Sequence, residues 1–248
     1  MPPSQQRNLL LALLAAGVLI VVTVSLIALT RSRREIEIAA PADTVPAASG
    51  GFTFFDVSRM TVLDRDLRDR LSEALGSDAI AQATPIDLTT VGEAFMQAHL
   101  PEVYQLNQRL NPPLGERREH PTTRLTYLRA ESRAMPFRSI ELVFSNLNGR
   151  PLYFIIAPTE DFSDSIATLT TKYGPPREIE ADHRAAPIRI WEREGDYLVA
   201  TRFRRRNGRP SQDLRIYFMD NLRQLADSEA QARRQQNRNT RKAGERAF

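Results

Sequence analysis

Cysteine is absent from this 248-residue chain. That absence excludes disulfides, thiolate nucleophiles, zinc–thiolate centres and a lipidated N-terminal cysteine. It leaves the redox compartment open, because a cysteine-free chain is at home on either side of a membrane. Lysine is almost missing as well: only Lys172 and Lys242 stand beside 32 arginines. So lopsided a choice reads most simply as a coding bias towards arginine. The phosphate-cradling G-x-x-x-x-G-K-[ST] and G-x-G-x-x-G patterns are absent, as is the G-x-S-x-G of a hydrolase elbow. Histidine is scarce. His99, His120 and His183 lie in separate segments without metal-ligand spacing, and each is expected as a surface or capping residue. No catalytic, cofactor-binding or metal-ligating set is therefore assigned.

Charge is balanced over most of the chain and then shifts. The net charge is +4, and residues 221–248 alone hold seven Lys/Arg against three acids. The body is neutral and the excess lies in the tail, which argues against a nucleic-acid-binding body.

Long hydrophobic runs are confined to one place. Leu9 to Leu29 is 21 residues without a charge, and as a helix it would reach about 30 Å, the thickness of a bilayer's hydrocarbon core. It exceeds the apolar region of a secretory signal, and Arg31-Ser32-Arg33-Arg34 follows it where a cleavage site would stand. An uncleaved single-pass anchor in the inner (plasma) membrane is expected. The arginines after the run favour a cytoplasmic domain by the positive-inside rule, but long domains translocate largely regardless of flanking charge. The expected orientation is extracytoplasmic.

The remaining organisation follows from periodicity. The expected segments are a flank at 1–8, the anchor at 9–30, a Pro- and Gly-bearing linker at 31–51 and a helical region at 52–121. An α+β sheet domain at 122–226 and a basic, disordered tail at 227–248 complete the chain. Within the helical region, Leu63, Leu67, Leu71 and Leu75 form one stripe ended by Gly76. In the same stretch Asp64–Arg68, Asp66–Arg70 and Arg65–Asp69 are at pairing distance along a helix. Thr90-x-x-Glu93 reads as a capping box, and Pro101 opens a helix carrying Val103, Leu106 and Leu110.

Beyond residue 121 the period falls to two. Strands are expected around Leu125–Leu128, across "SIELVFSN" and "PLYFIIAP", then at Ile188–Arg193, Tyr197–Arg206 and Leu214–Met219. Asn148-Gly149, Glu194-Gly195 and Asn207-Gly208 mark turns. The single intervening helix carries Phe162, Ile166, Leu169 and Tyr173 on one stripe. The fold class expected is thus α+β: a largely antiparallel ββαβββ sheet packed on a helix, with the helical region attached.

Two stretches resemble sites. "TLTTKYGPPREIE" gathers Lys172, Tyr173, Gly174, Pro175 and Pro176, but each has a place in a helix stop. Glu160, Asp161 and Asp164 cluster where a helix dipole favours acids anyway. "RFRRRNGR" is different. Alternation sends Arg202, Arg204 and Arg206 to one face, with Arg209 across the turn, and a fork of guanidinium groups suits phosphate, carboxylate or lipid headgroups. No aromatic residues interleave them as a nucleic-acid stacking platform would require. Those four arginines are the candidate site for an anionic partner.

The expected function is a non-enzymatic binding or scaffolding module of the bacterial cell envelope, held at the membrane and contacting a protein or an anionic envelope component. A cytoplasm-facing domain that binds an anionic partner or nucleic acid through the hairpin and tail is the first alternative. An enzyme of unrecognised class is the second.

Overall fold

The computed structural model describes residues 50–112, 118–128, 136–159, 163–180, 186–204 and 210–247, all within one compact unit, Ala48–Phe248. The Leu9–Leu29 run lies outside them, and among the described residues no helix is long and apolar enough to cross a membrane.

Helix α1 (Arg65–Leu75) forms where the leucine stripe predicts it and buries Leu67, Leu71 and Leu75. The expected Asp64–Arg68 pair is replaced. Asp64 is the N-cap and accepts from the Leu67 amide at 2.7 Å, while Arg68 reaches Asp78 at 3.1 Å. A carboxylate at the cap satisfies an otherwise orphaned amide, which outweighs an exposed ion pair worth a few tenths of a kcal/mol. Arg65–Asp69 does form, at 3.9 Å with both side chains in solvent.

Strand β1 (Asp78–Pro85) follows, so the stretch expected to be wholly helical contains a strand. Five of its eight residues in a row are exposed. With so little burial it carries no readable period, and its pairing with the next strand decides its state. Helices α2 (Glu93–His99) and α3 (Pro101–Leu110) come next. The expected capping box is not made. Val91 takes φ +63°, the helix starts only at Glu93, and its N-cap Gly92 offers no side chain. Pro101 opens α3 as predicted, and Val103, Leu106 and Leu110 are its buried stripe.

The remaining strands are β2 (Glu119–Leu128), β3 (Phe137–Ser145), β4 (Pro151–Pro158), β5 (Arg177–Ile179), β6 (Ile188–Arg193), β7 (Asp196–Arg204) and β8 (Pro210–Tyr217). Helix α4 (Ser163–Tyr173) lies between β4 and β5, and α5 (Met219–Ala247) closes the chain. Among the described residues all pairings are antiparallel, giving one eight-stranded sheet in the order β1-β2-β3-β4-β8-β7-β6-β5. The fold is α+β, as predicted. The sheet has eight strands where the ββαβββ reading has five, and the expected boundary at 121/122 falls inside β2.

The sheet is covered on both faces. Leu125, Leu142, Phe154, Trp191, Leu198 and Ile216 point to a first face, where α1, α4 and Phe52–Val57 cover them. Val143, Tyr153, Ile190, Val199 and Tyr217 point to the second, under α2, α3 and the start of α5. One covering helix was expected where the structure has two layers. The continuous apolar run of β4 already demanded apolar cover on both sides.

Turn chemistry is legible throughout. Glu194 and Gly195 take φ +50° and +79°, the signs of a type I′ hairpin between β6 and β7. Gly149 takes φ +70°, and a Cβ there would lie 2.7 Å from Val62 Cγ1. Helix α5 departs most from expectation: the tail read as disordered from 227 lies in it. Met219, Leu222, Leu225, Ala226 and Glu229 are buried, whereas from Gln231 to Lys242 only Arg233 is even half-buried. Ala, Gln and Arg propagate a helix well, and no glycine or proline intervenes before Gly244.

Candidate anion-binding cleft

The stretch 168–180 is a helix stop. Gly174 follows the last turn of α4 with φ +83°, and its amide donates to Thr170 O at 2.8 Å. The buried Trp191 indole donates to Gly174 O at 2.8 Å. The Tyr173 ring is buried, and its hydroxyl accepts from the Thr53 amide at 3.1 Å. Lys172 Nζ donates to Thr53 Oγ1 at 2.8 Å. Each of these groups fastens α4 to the sheet and to the segment entering the domain.

The arginine cluster is placed in part. Arg202 lies on β7 opposite Gln212 of β8, and Arg204 ends β7 opposite Pro210. Arg206 and Arg209 lie outside the described residues. Arg202 opens onto a cleft of about 280 Å³ between α4 and the ends of β6, β7 and β8. Ile166, Pro187 and Ala200 form its apolar wall, while Arg189, Arg202 and Gln212 bring polar groups to it.

Sequence reading missed Arg189. Its alternation against Ile188 and Ile190, both buried on the second face, was the available signal. Arg189 Nε is held by Glu178 at 2.7 Å, which orients the guanidinium from one edge. Two guanidinium groups and an amide beside an apolar wall suit a small carboxylate or phosphate group. The volume is just below the usual range of about 300–1,000 Å³ for ligand pockets, so it fits a headgroup rather than a large ligand.

His99 and His120 do not line this cleft. His99 packs against Phe95 with ring centroids 4.8 Å apart and the rings tilted by 45°. His120, expected at the surface, is buried, and its Nδ1 lies 2.7 Å from Glu229 Oε1, joining β2 to the last buried turn of α5. The approach of α5, remote in sequence, is what covers it. His183, Glu160 and Asp161 lie outside the described residues, and Asp164 is in the first turn of α4. Among the described residues no group of three or more His, Asp or Glu side chains is placed to hold a metal.

A second polar cluster sits at the other end of β7. Asp196 is buried, and its Oδ1 accepts from the Met219 amide at 2.9 Å, anchoring the start of α5. Arg59 stands 3.8 Å from Asp196 and 3.5 Å from Asp220, and pairs with Glu194. Burial pushes the Asp196 carboxyl up to about 6, against the opposing pull of the Met219 amide and Arg59. The Tyr217 hydroxyl is likewise pushed up to about 12 by burial, and it donates to Leu88 O at 2.9 Å. Both groups tie elements together and open onto no cleft described above.

The chain matches no protein-family model, no curated protein and no solved structure. The fold itself defines the class: an α+β domain with a continuous antiparallel sheet between two helical layers.

Proposed function

We propose that this chain is a single-pass membrane protein anchored by Leu9–Leu29, with its α+β domain outside the cytoplasm serving as a non-enzymatic binding or scaffolding module of the bacterial envelope. The observation that carries the reading is the uncharged 21-residue run Leu9–Leu29, long enough as a helix to cross a bilayer's hydrocarbon core. The cleft bearing Arg189 and Arg202, continued along the chain by Arg204, Arg206 and Arg209, supports an anionic partner at the β7–β8 end.

Arg31, Arg33 and Arg34, just after the run, favour a second reading, in which the domain faces the cytoplasm and meets an anionic partner or nucleic acid there. C-terminal fusions to alkaline phosphatase and to a fluorescent protein separate the two. An active phosphatase with a dark fluorescent fusion is expected. A bright fluorescent fusion with a dead phosphatase would reverse the orientation, and release of the chain by a salt wash would remove the anchor.

A further inference from the structure

The two edges of the sheet are built differently. β5 is only three residues long and places the exposed Arg177 and Glu178 at its edge, a common protection against unwanted pairing. Among the described residues β1 pairs only with β2, and from Ala79 to Gln82 it is exposed and carries no charge, proline or glycine. Its regular part is short and bounded. Ala83 takes φ +52°, the register shifts between Gln82 and Thr84, and Pro85 ends the strand. The straight, open segment is therefore Asp78–Gln82, and its midpoint is Ile80.

We propose that this edge pairs with β1 of a second copy, antiparallel and two-fold symmetric about Ile80. An antiparallel pairing of a strand with itself is the isologous contact that a two-fold axis generates. Centred on Ile80, it sets Ile80 against Ile80, Ala79 against Ala81 and Asp78 against Gln82 of the other copy.

The chemistry of each opposed pair is compatible. Ile80 is a large apolar side chain left 44% exposed, on the face that Leu125 shares. In the pairing the two isoleucines cover each other. Asp78, already held by Arg68, faces a neutral amide. The two Asp78 side chains lie about 13 Å apart along the strands, at about 3.3 Å per residue, so no like charges stand opposite. The alanines on the second face leave room for close approach. A register slipped by one residue would turn Ile80 away from its counterpart, so the bulge and the alternation select one alignment.

The absence of cysteine makes the test clean. Ile80→Cys, introduced into the full chain in its membrane, puts two thiols directly across the two-fold axis, where opposed Cβ atoms are about 4.5–5.5 Å apart. Mild oxidation is expected to give a disulfide-linked homodimer with a half-time at least ~10-fold shorter than for Leu128→Cys, because a formed pair replaces random encounter. Leu128 is the matched control: it ends the neighbouring strand and is 66% exposed. A second variant, Ile80→Lys, sets like charges opposite and is expected to convert the detergent-solubilised chain from dimer to monomer by light scattering. Equal crosslinking of the two cysteine variants would overturn the proposal, as would a monomeric wild-type chain or a dimeric Ile80→Lys. Crosslinking of Ile80→Cys to a different protein would overturn it in favour of a foreign strand at the same edge.

Discussion

Asp196 is a point where the structure makes folding depend on pH in a direction opposite to most carboxylates. Its side chain is 1% exposed, Oδ1 is taken by the Met219 amide, and Oδ2 has no hydrogen-bond partner among the described residues. Burial raises its ionisation from 3.8 to about 6. Between those values the native state holds a proton that the unfolded chain has lost, so stability falls as pH rises through that window and is level above it. At 1.36 kcal/mol per pH unit the full penalty is about 3 kcal/mol. Solvent reaches Arg59 on one side, which lowers the working figure to about 1–3 kcal/mol.

Asp196→Asn removes the charge and keeps an acceptor for the Met219 amide. The variant is expected to exceed the wild type in stability by that amount at pH 8 and to converge with it near pH 4. Urea unfolding of residues 48–248 at a series of pH values, followed by fluorescence of the single Trp191, measures the difference. A variant less stable than the wild type at pH 8, or a difference that grows as pH falls, would refute the reasoning. Arg59 would then dominate over desolvation.

Phe154 is fully buried and its ring meets those of Phe54, Phe144 and Phe218, so Phe154→Ala is expected to lose about 3–5 kcal/mol in the same unfolding measurement. Gly149→Ala forces a Cβ onto Val62 at φ +70°, which is expected to destabilise by about 1–2 kcal/mol. Adding Val62→Ala should restore the part due to contact and leave the part due to φ, a separation that a double-mutant cycle reads directly. Arg204→Ser with Arg206→Ser should shift stability by no more than about 0.5 kcal/mol. The same pair should reduce recovery of an anionic partner in a crosslinking pull-down, most clearly at low salt; undiminished recovery would return the arginines to coding bias.

What the sequence determined by itself is local. Gly174, Pro175 and Pro176 stop α4 because a left-handed residue and two missing amides forbid another turn, whatever lies around them. The leucine stripe of α1, Pro101 at the start of α3 and Glu194-Gly195 between β6 and β7 were legible for the same reason. Alternation likewise assigned faces to β3, because a strand's period is set by its own backbone.

Only the tertiary structure decided the rest. β1 is a strand because β2 pairs with it, since its own residues bury too little to show a period. Asp64 became a cap rather than a surface partner once α1 began at Arg65. β4 lies beside β8, its partners 64 residues away at Tyr153–Tyr217 and 58 at Ile156–Leu214. Nothing local encodes that adjacency. His120 is buried because α5 delivers Glu229 from 109 residues away, and Arg189 joins Arg202 only because β6 pairs with β7. Contacts between distant segments depend on which surfaces can be covered at once. That is a property of the assembled sheet and its two helical layers, and no short stretch of sequence carries it.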